Sequence, residues 1–377
     1  YFKRPQLYGA YDDGERFAFF SRAALDTIAR LDIYPDILHC NDWQTAGSII
    51  YLKGMYFGDE KFRKIKTVFT IHNIEYQGKF SMDCFESLFG FSENLRQWVE
   101  FDGCVNLMKG AIEMSDIVST VSPTYANEIK DPYYAHGLSG IINTNAHKLC
   151  GILNGIDVDY YNPETDKFIF ANYSAMDLSG KAVCKSELQK MLGLSVREDV
   201  PVISVISRLV SHKGLDLIKE IADSLLSQDV QFIVLGKGEI GYENFFTDLA
   251  KKYKNKCATV IAYNQDLSRK IYSGSDIFLM PSKMEPCGLS QMIASRYGTV
   301  PVVRETGGLN DSIKAYTGDY GNGFTFHDYN AHDMLYVINE AVRTFHDKEK
   351  WKDVQNRAIT TDFSWKVQAV KYEEMYG

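Results

Sequence analysis

The chain has 377 residues, of which 45% are hydrophobic and 24% charged, enough to bury a large core, and this length favours two domains over one. With 49 acidic against 41 basic residues it carries a net charge of −8, and no long basic block interrupts the sequence. That balance argues against nucleic acid or an anionic membrane surface as the main partner. Seven scattered cysteines, without a C-x-x-C pair, point to neither a disulfide framework nor a structural zinc site and suit a reducing, cytoplasmic setting.

No apolar run approaches the roughly 20 residues needed to span a bilayer, and the opening YFKRP lacks a basic-then-apolar signal shape. The sequon at Asn172 is therefore expected to be accidental. Asp12 and Asp13 could mimic a metal-binding pair, but no third ligand lies nearby in sequence, so neither a metal nor a cofactor is assigned.

Short β-branched runs occur at 36–39, 66–72, 116–121, 200–206, 231–235, 258–261, 276–280 and 300–303, each followed by turn formers and a helical pattern. Strands alternating with helices predict an α/β fold with parallel sheets and right-handed crossovers. A stretch rich in turn residues, NGIDVDYYNPETD at 154–166, separates the two groups. The simplest parse is two Rossmann-like domains.

Ligands of such sheets bind beyond the carboxyl ends of the strands, where polar residues cluster in this sequence. Those positions carry Asn41 and Asp42, His72 and Asn73, Arg208 to Gly214, the segment SKMEPCGLSQ at 282–291, and Gly307-Gly308. A tight Pro-Cys-Gly turn running into a helix near Leu289 and Ser290 would aim backbone N–H groups at a phosphate or sugar oxygen. Gly307-Gly308, before a helix starting near Asn310, would do the same one strand over. Arg208 and Lys213 would supply positive charge to a departing diphosphate, and Glu285 would hold sugar hydroxyls. Each feature taken singly also has an ordinary structural reading, and their convergence is what raises the functional one.

The motifs HCNDWQTA (39–46), TIHN (70–73), TVSPTYA (120–126), GILNGID (151–157), SRL with KGLD (207–216), EPCGL (285–289) and YGTVP through GGL (297–309) closely resemble the bacterial glycogen synthases and plant starch synthases. The resemblance runs from Leu7 to DFSW at 362–365. It implies the GT-B architecture, two Rossmann-like domains facing a central crevice, with residues 1–158 as an acceptor-side domain joined by a closing helix at 359–377. Residues 159–358 would bind the nucleotide sugar. The implied activity is a metal-independent, retaining transfer of glucose from ADP-glucose to the non-reducing end of an α-1,4-glucan.

Carried over by motif, Arg208 and Lys213 would hold the diphosphate, and Glu285 with the backbone of Cys287, Gly288 and Leu289 the donor glucose. Ser290, Gly307 and Gly308 complete that wall. Asp42 and His72 would flank the reacting sugar, Trp43 and Asn73 border it, and the Tyr263 ring would pack on the base. Eight residues after Glu285 stands Ile293, where many other retaining transferases of this architecture carry a glutamate.

Family members begin with a strand and a Lys-x-Gly-Gly-Leu loop that does not precede Tyr1. The expectation is that the sequence is a fragment of a longer polypeptide, with a partner-supplied segment or a non-natively packed first domain as alternatives. The functional alternative is a catalytically weak glucan- or nucleotide-binding regulatory protein on the same fold. A sucrose- or trehalose-forming transferase is disfavoured by the EPCGL loop.

Overall fold

The computed structural model describes residues 1–4 and 6–377 and divides into two compact units, Tyr1–Ile152 with Tyr376–Gly377, and Leu153–Met375. All eight sequence-expected strands form, because β-branched residues fit a pleated surface buried on both faces.

In the first unit the strands are β1 (Ile37–Asn41), β2 (Lys66–Ile71), β3 (Lys79–Ser81), β4 (Glu100–Phe101), β5 (Cys104–Asn106), β6 (Ile117–Thr120) and β7 (Leu149–Gly151). A parallel sheet runs β1-β2-β6-β7, and β3-β5-β4 form a small antiparallel sheet that no sequence pattern announced. Cys40 pairs with Phe69 and Phe69 with Val118, so β2 lies inside and is buried from Thr67 to Ile71. The Asp116 carboxylate accepts hydrogen bonds from the Thr67 N–H at 2.7 Å and the Lys53 ammonium at 2.9 Å, which aligns the starts of β2 and β6.

Asp12 and Asp13 have structural partners. Asp12 takes a two-pronged bond from Arg4 at 2.6 Å, and Asp13 pairs with buried Arg16 at 2.6 Å while accepting the Gly9 N–H. At the sequon, the Asn172 amide donates to the carbonyls of Pro163 and Asp166.

The second unit holds one parallel sheet in the order β10-β9-β8-β11-β12-β13, from β8 (Val202–Ile206), β9 (Gln231–Gly236), β10 (Cys257–Ile261), β11 (Ile277–Met280), β12 (Val300–Arg304) and β13 (Phe324–Phe326). Its core runs through Val205, Phe232, Val234, Leu279 and Val302, covered by the helices Leu215–Leu226 and Ala331–His346. At the amino ends of β8 and β11, Asp276 accepts the Val202 N–H at 2.8 Å and pairs with Lys185, also at 2.8 Å. Both side chains of that pair are about nine-tenths buried. Such a pair adds little net stability but would be costly to break, because one charge would be left without its partner.

In the last helix, Trp365–Tyr376, Trp365, Val367 and Val370 are exposed, and Gln368 is the buried residue. At roughly 100° per residue, Val367 and Val370 point away from the side shared by Gln368, Tyr372 and Met375.

Phe278, 1% exposed, lies in β11, the strand that leads into the loop carrying Glu285, and its ring packs on Tyr272. Replacing it with Ala should cost about 3–5 kcal/mol, read as a lowered midpoint in chemical denaturation, because the close-packed surroundings refill such a void only partly.

Candidate active site

In the first unit, the chain leaves β1 and enters the helix Asp42–Gly54 through an unusual residue. Asp42 has φ of +57°, in the left-handed region that an aspartate tolerates better than bulkier side chains. This turns its carboxylate toward the end of β2, where Oδ1 accepts the His72 N–H at 2.8 Å. Burial pushes the Asp42 carboxyl up, against the pull of His72 and of the backbone N–H groups of His72 and Asn73. His72 Nε2 lies 2.9 Å from Asn41 Oδ1, within hydrogen-bond reach.

Asn73 uses its side-chain oxygen to accept the Glu75 N–H at 3.0 Å. The Trp43 ring packs edge-on against Phe17 at 5.2 Å and lies against the Gly78 backbone, where a Cβ would come within 2.7 Å of the indole. Behind His72, the His39 ring bridges the hydroxyls of Tyr376 and Thr70 at 2.6 Å each, and burial with the nearby His72 charge pulls its pKa down.

In the second unit, the strand ends meet with little space between their backbones. Gly214, at φ +73°, stands where a Cβ would lie 2.0 Å from the Pro281 carbonyl oxygen. This lets Lys213 reach Glu285, whose Oε2 accepts from the Lys213 ammonium at 2.7 Å and from the Ser282 hydroxyl at 2.9 Å. Glu285 is 7% exposed. Lys213 and Glu285, expected on different parts of a donor, are thus each other's direct partner.

Gly307 and Gly308 differ from expectation. The helix begins at Gly307 and runs Gly307–Ser312, and the Gly308 N–H is taken by the carbonyls of Glu285 and Pro286 at 3.1 Å. A Cβ on Gly307 would lie 2.0 Å from the Glu285 oxygen, and one on Gly308 2.1 Å from that of Cys287. The glycine pair is therefore a seat for the loop above it. Cys287 is buried, with its thiol pushed up to about 12, and Gly288 takes φ of +68° to turn the chain into the helix Ser290–Arg296.

A cavity of about 430 Å³ opens at the carboxyl ends of β8, β9 and β10. It gathers Arg208, Tyr263, Leu289 and Ser290 from the expected set, together with Lys237 and Ile293, and with Tyr161, Gln265 and Tyr272, which sequence reasoning passed over. Tyr161 lies in the turn-rich segment, where no periodicity singles out a residue. Tyr263 is 92% exposed, so its ring presents an open face. The size and mixed lining suit a nucleotide-sized ligand, within the roughly 300–1,000 Å³ of small-molecule sites. Among the described residues, no group of three or more His, Cys, Asp or Glu side chains is placed to hold a metal ion, and no helix is long and apolar enough to cross a membrane.

Two substitutions test this geometry. Gly308→Ala should lower stability by about 1–3 kcal/mol by thermal melting, because backbone must shift to admit the methyl group. Asp42→Asn keeps an acceptor for the His72 N–H and suits φ +57°, so it should leave stability at neutral pH unchanged or raised. The sign follows from a folded-state pKa above 3.8: Asp42 favours folding most when protonated, and that advantage fades as pH rises through the folded pKa. Paired denaturant titrations across that acidic range should show the Asn variant gaining on the parent as pH rises.

Comparison with known proteins matches both units. Residues 1–144 match the starch synthase catalytic domain family and residues 191–359 the glycosyl transferases group 1 family. A glycogen synthase of Clostridium novyi (strain NT) is 47% identical over 383 aligned residues, covering all of this chain and 80% of that protein. One from Clostridium perfringens (strain 13 / Type A) is 48% identical, over 100% and 79%. Among solved structures, the catalytic domain of starch synthase IV from Arabidopsis thaliana, bound to ADP and acarbose, is 39% identical with a TM-score of 0.91, covering 99% of this chain and 78% of that one. Sucrose-phosphate synthase from Thermosynechococcus elongatus shares the fold at 15% identity and a TM-score of 0.63. The fold is that of the GT-B glycosyltransferases, and the chain belongs to the glycogen and starch synthase family of glucosyl-transferring enzymes.

Proposed function

We propose that the chain transfers glucose from ADP-glucose to the non-reducing end of an α-1,4-glucan, with retention of configuration, without a metal and in the cytoplasm. The observation that carries this reading is the cavity at the ends of β8 to β10, which joins the Arg208 cation, the open Tyr263 ring and the start of the helix Ser290–Arg296. A nucleoside diphosphate needs those three things: charge, a stacking face and N–H donors. The ADP bound by the similar Arabidopsis enzyme supports the choice of donor.

Arg208 and Lys213 stabilise the diphosphate as its bond to glucose breaks, and Glu285 holds the sugar hydroxyls together with the backbone of Cys287, Gly288 and Leu289. Asp42 and His72 act on the reacting sugar, with Trp43 and Asn73 beside it. A double-displacement route would place a second carboxylate roughly 5 Å from the first. Lys213 and Ser282 hold the Glu285 carboxylate, and Ile293 occupies the position eight residues on. We therefore favour a front-face route. The leaving diphosphate generates the oxocarbenium-like state, and one of its oxygens takes the proton of the acceptor hydroxyl as the new glycosidic bond forms. The 1–158 and 159–358 division, with 359–377 closing back, is the domain plan that accompanies this reading.

The test is glucose transfer to glycogen from ADP-glucose and, in parallel, UDP-glucose. Transfer should be faster from ADP-glucose, and Lys213→Ala and Glu285→Gln should each lower kcat by about 10²–10³, the usual cost of removing one group aimed at transition-state charge or the reacting sugar. ADP binding without transfer from either donor would overturn the enzyme reading and leave a nucleotide-binding protein.

A further inference from the structure

Arg269 belongs to none of the motifs, yet it joins two parts of the second unit. It lies on the helix Gln265–Gly274, is 4% exposed, and donates to Asp166 at 3.1 Å. Its guanidinium carbon stands 4.0 Å from the centre of the Tyr160 ring, 4.7 Å from Phe168 and 5.8 Å from Tyr161. All three rings belong to a segment of turns and bends with no regular hydrogen-bond ladder to hold them. Asp166 is itself held by the Tyr297 hydroxyl and accepts the Phe168 N–H at 2.9 Å.

Planar stacking on aromatic faces suits a guanidinium, and it is what an ammonium cannot reproduce. The Arg269 Nε–H is buried without a hydrogen-bond partner, so the contacts that define its place are the rings and Asp166. The first residue of the same helix, Gln265, donates to the Tyr160 hydroxyl at 2.7 Å. Tyr161 and Gln265 both line the 430 Å³ cavity. One helix thus adds side-chain contacts to a cavity wall whose own backbone makes only turn hydrogen bonds, such as that of the Tyr161 N–H to the Asp157 carbonyl at 2.9 Å.

We propose that Arg269 is a positioning residue for the nucleotide: clamping the 160–168 segment, it sets the Tyr161 wall of the cavity. The proposal rests on the donor reading above. An ordinary core ion pair would support folding alike for every step of the reaction, whereas a positioning role falls on nucleotide affinity and leaves turnover alone.

The experiment uses the full chain with Arg269→Met, Arg269→Lys, Tyr161→Leu and the Arg269→Met/Tyr161→Leu double variant. Binding of ADP is measured by calorimetry, and KM for the donor, KM for glycogen and kcat by steady-state transfer. Arg269→Met and Tyr161→Leu should each raise the ADP Kd and donor KM roughly tenfold, with kcat within about twofold and KM for glycogen unchanged. Because Arg269 acts through Tyr161, the double variant should be no weaker than the weaker single one. Arg269→Lys, which keeps the charge facing Asp166 without the planar stack, should fall between parent and Met. If Arg269→Met does not fold, Tyr160→Leu removes the closest ring and should show the same split. An unchanged ADP Kd in the folded variants, effects that multiply in the double variant, or a fall in kcat at constant donor KM would overturn the role of Arg269. A parent chain that binds no ADP would overturn the donor reading and this one with it.

Discussion

The candidate site rests on close approach between backbones at the strand ends of the second unit. Gly307 and Gly308 lie so near the carbonyls of Glu285 and Cys287 that a Cβ on either would stand about 2 Å from an oxygen. Gly214 is packed equally tightly against Pro281. These contacts leave Glu285 little freedom, and its carboxylate is then fixed from two further sides by Lys213 and Ser282. A group held this way need not reorganise when charge develops beside it, which is the condition for electrostatic catalysis. Glycine is required there for space first and for conformation second.

The first unit uses a different device for the same end. A single aspartate in a left-handed backbone conformation turns the end of β1 toward the end of β2, so that Asp42 and His72 become neighbours through a backbone hydrogen bond. Strain of this kind persists when its surroundings hold it, and here the hold comes from the His72 N–H, the Asn41 side chain on His72, and Thr45 closing on the Asn41 backbone. The pair is thus part of the strand-to-helix turn itself. In both units, the residues expected to meet the sugar are also fastened to neighbouring strand ends.

Much of this was legible in advance. Eight β-branched runs were read as strands because burial on both faces leaves a continuous apolar run, and all eight form. The three-stranded antiparallel sheet, β7 and β13 were not, since two or three residues carry no period. Arg208, Leu289 and Ser290 stand in the loops that follow strands, Tyr263 is implied by the family resemblance, and the cavity gathers all four. Tyr161 and Arg269 were missed for a physical reason. Tyr161 lies in a segment without periodicity, and Arg269 interrupts an otherwise amphipathic helix, where a charge ordinarily means a solvated face.

By itself the sequence determined the strand-and-helix alternation, the parallel sheets and the placing of polar loops at strand ends, because those depend on local pattern and on the handedness of crossovers. It also carried the motifs that assign the family. Only the tertiary structure decided how those loops spend their hydrogen bonds: that Lys213 meets Glu285, that the Gly308 N–H serves the loop above it, and that Trp43 packs on Gly78. It decided too that a cation from one helix would organise three rings more than a hundred residues away in sequence. Pairings of that kind depend on distances across strand ends, and no local pattern encodes a distance.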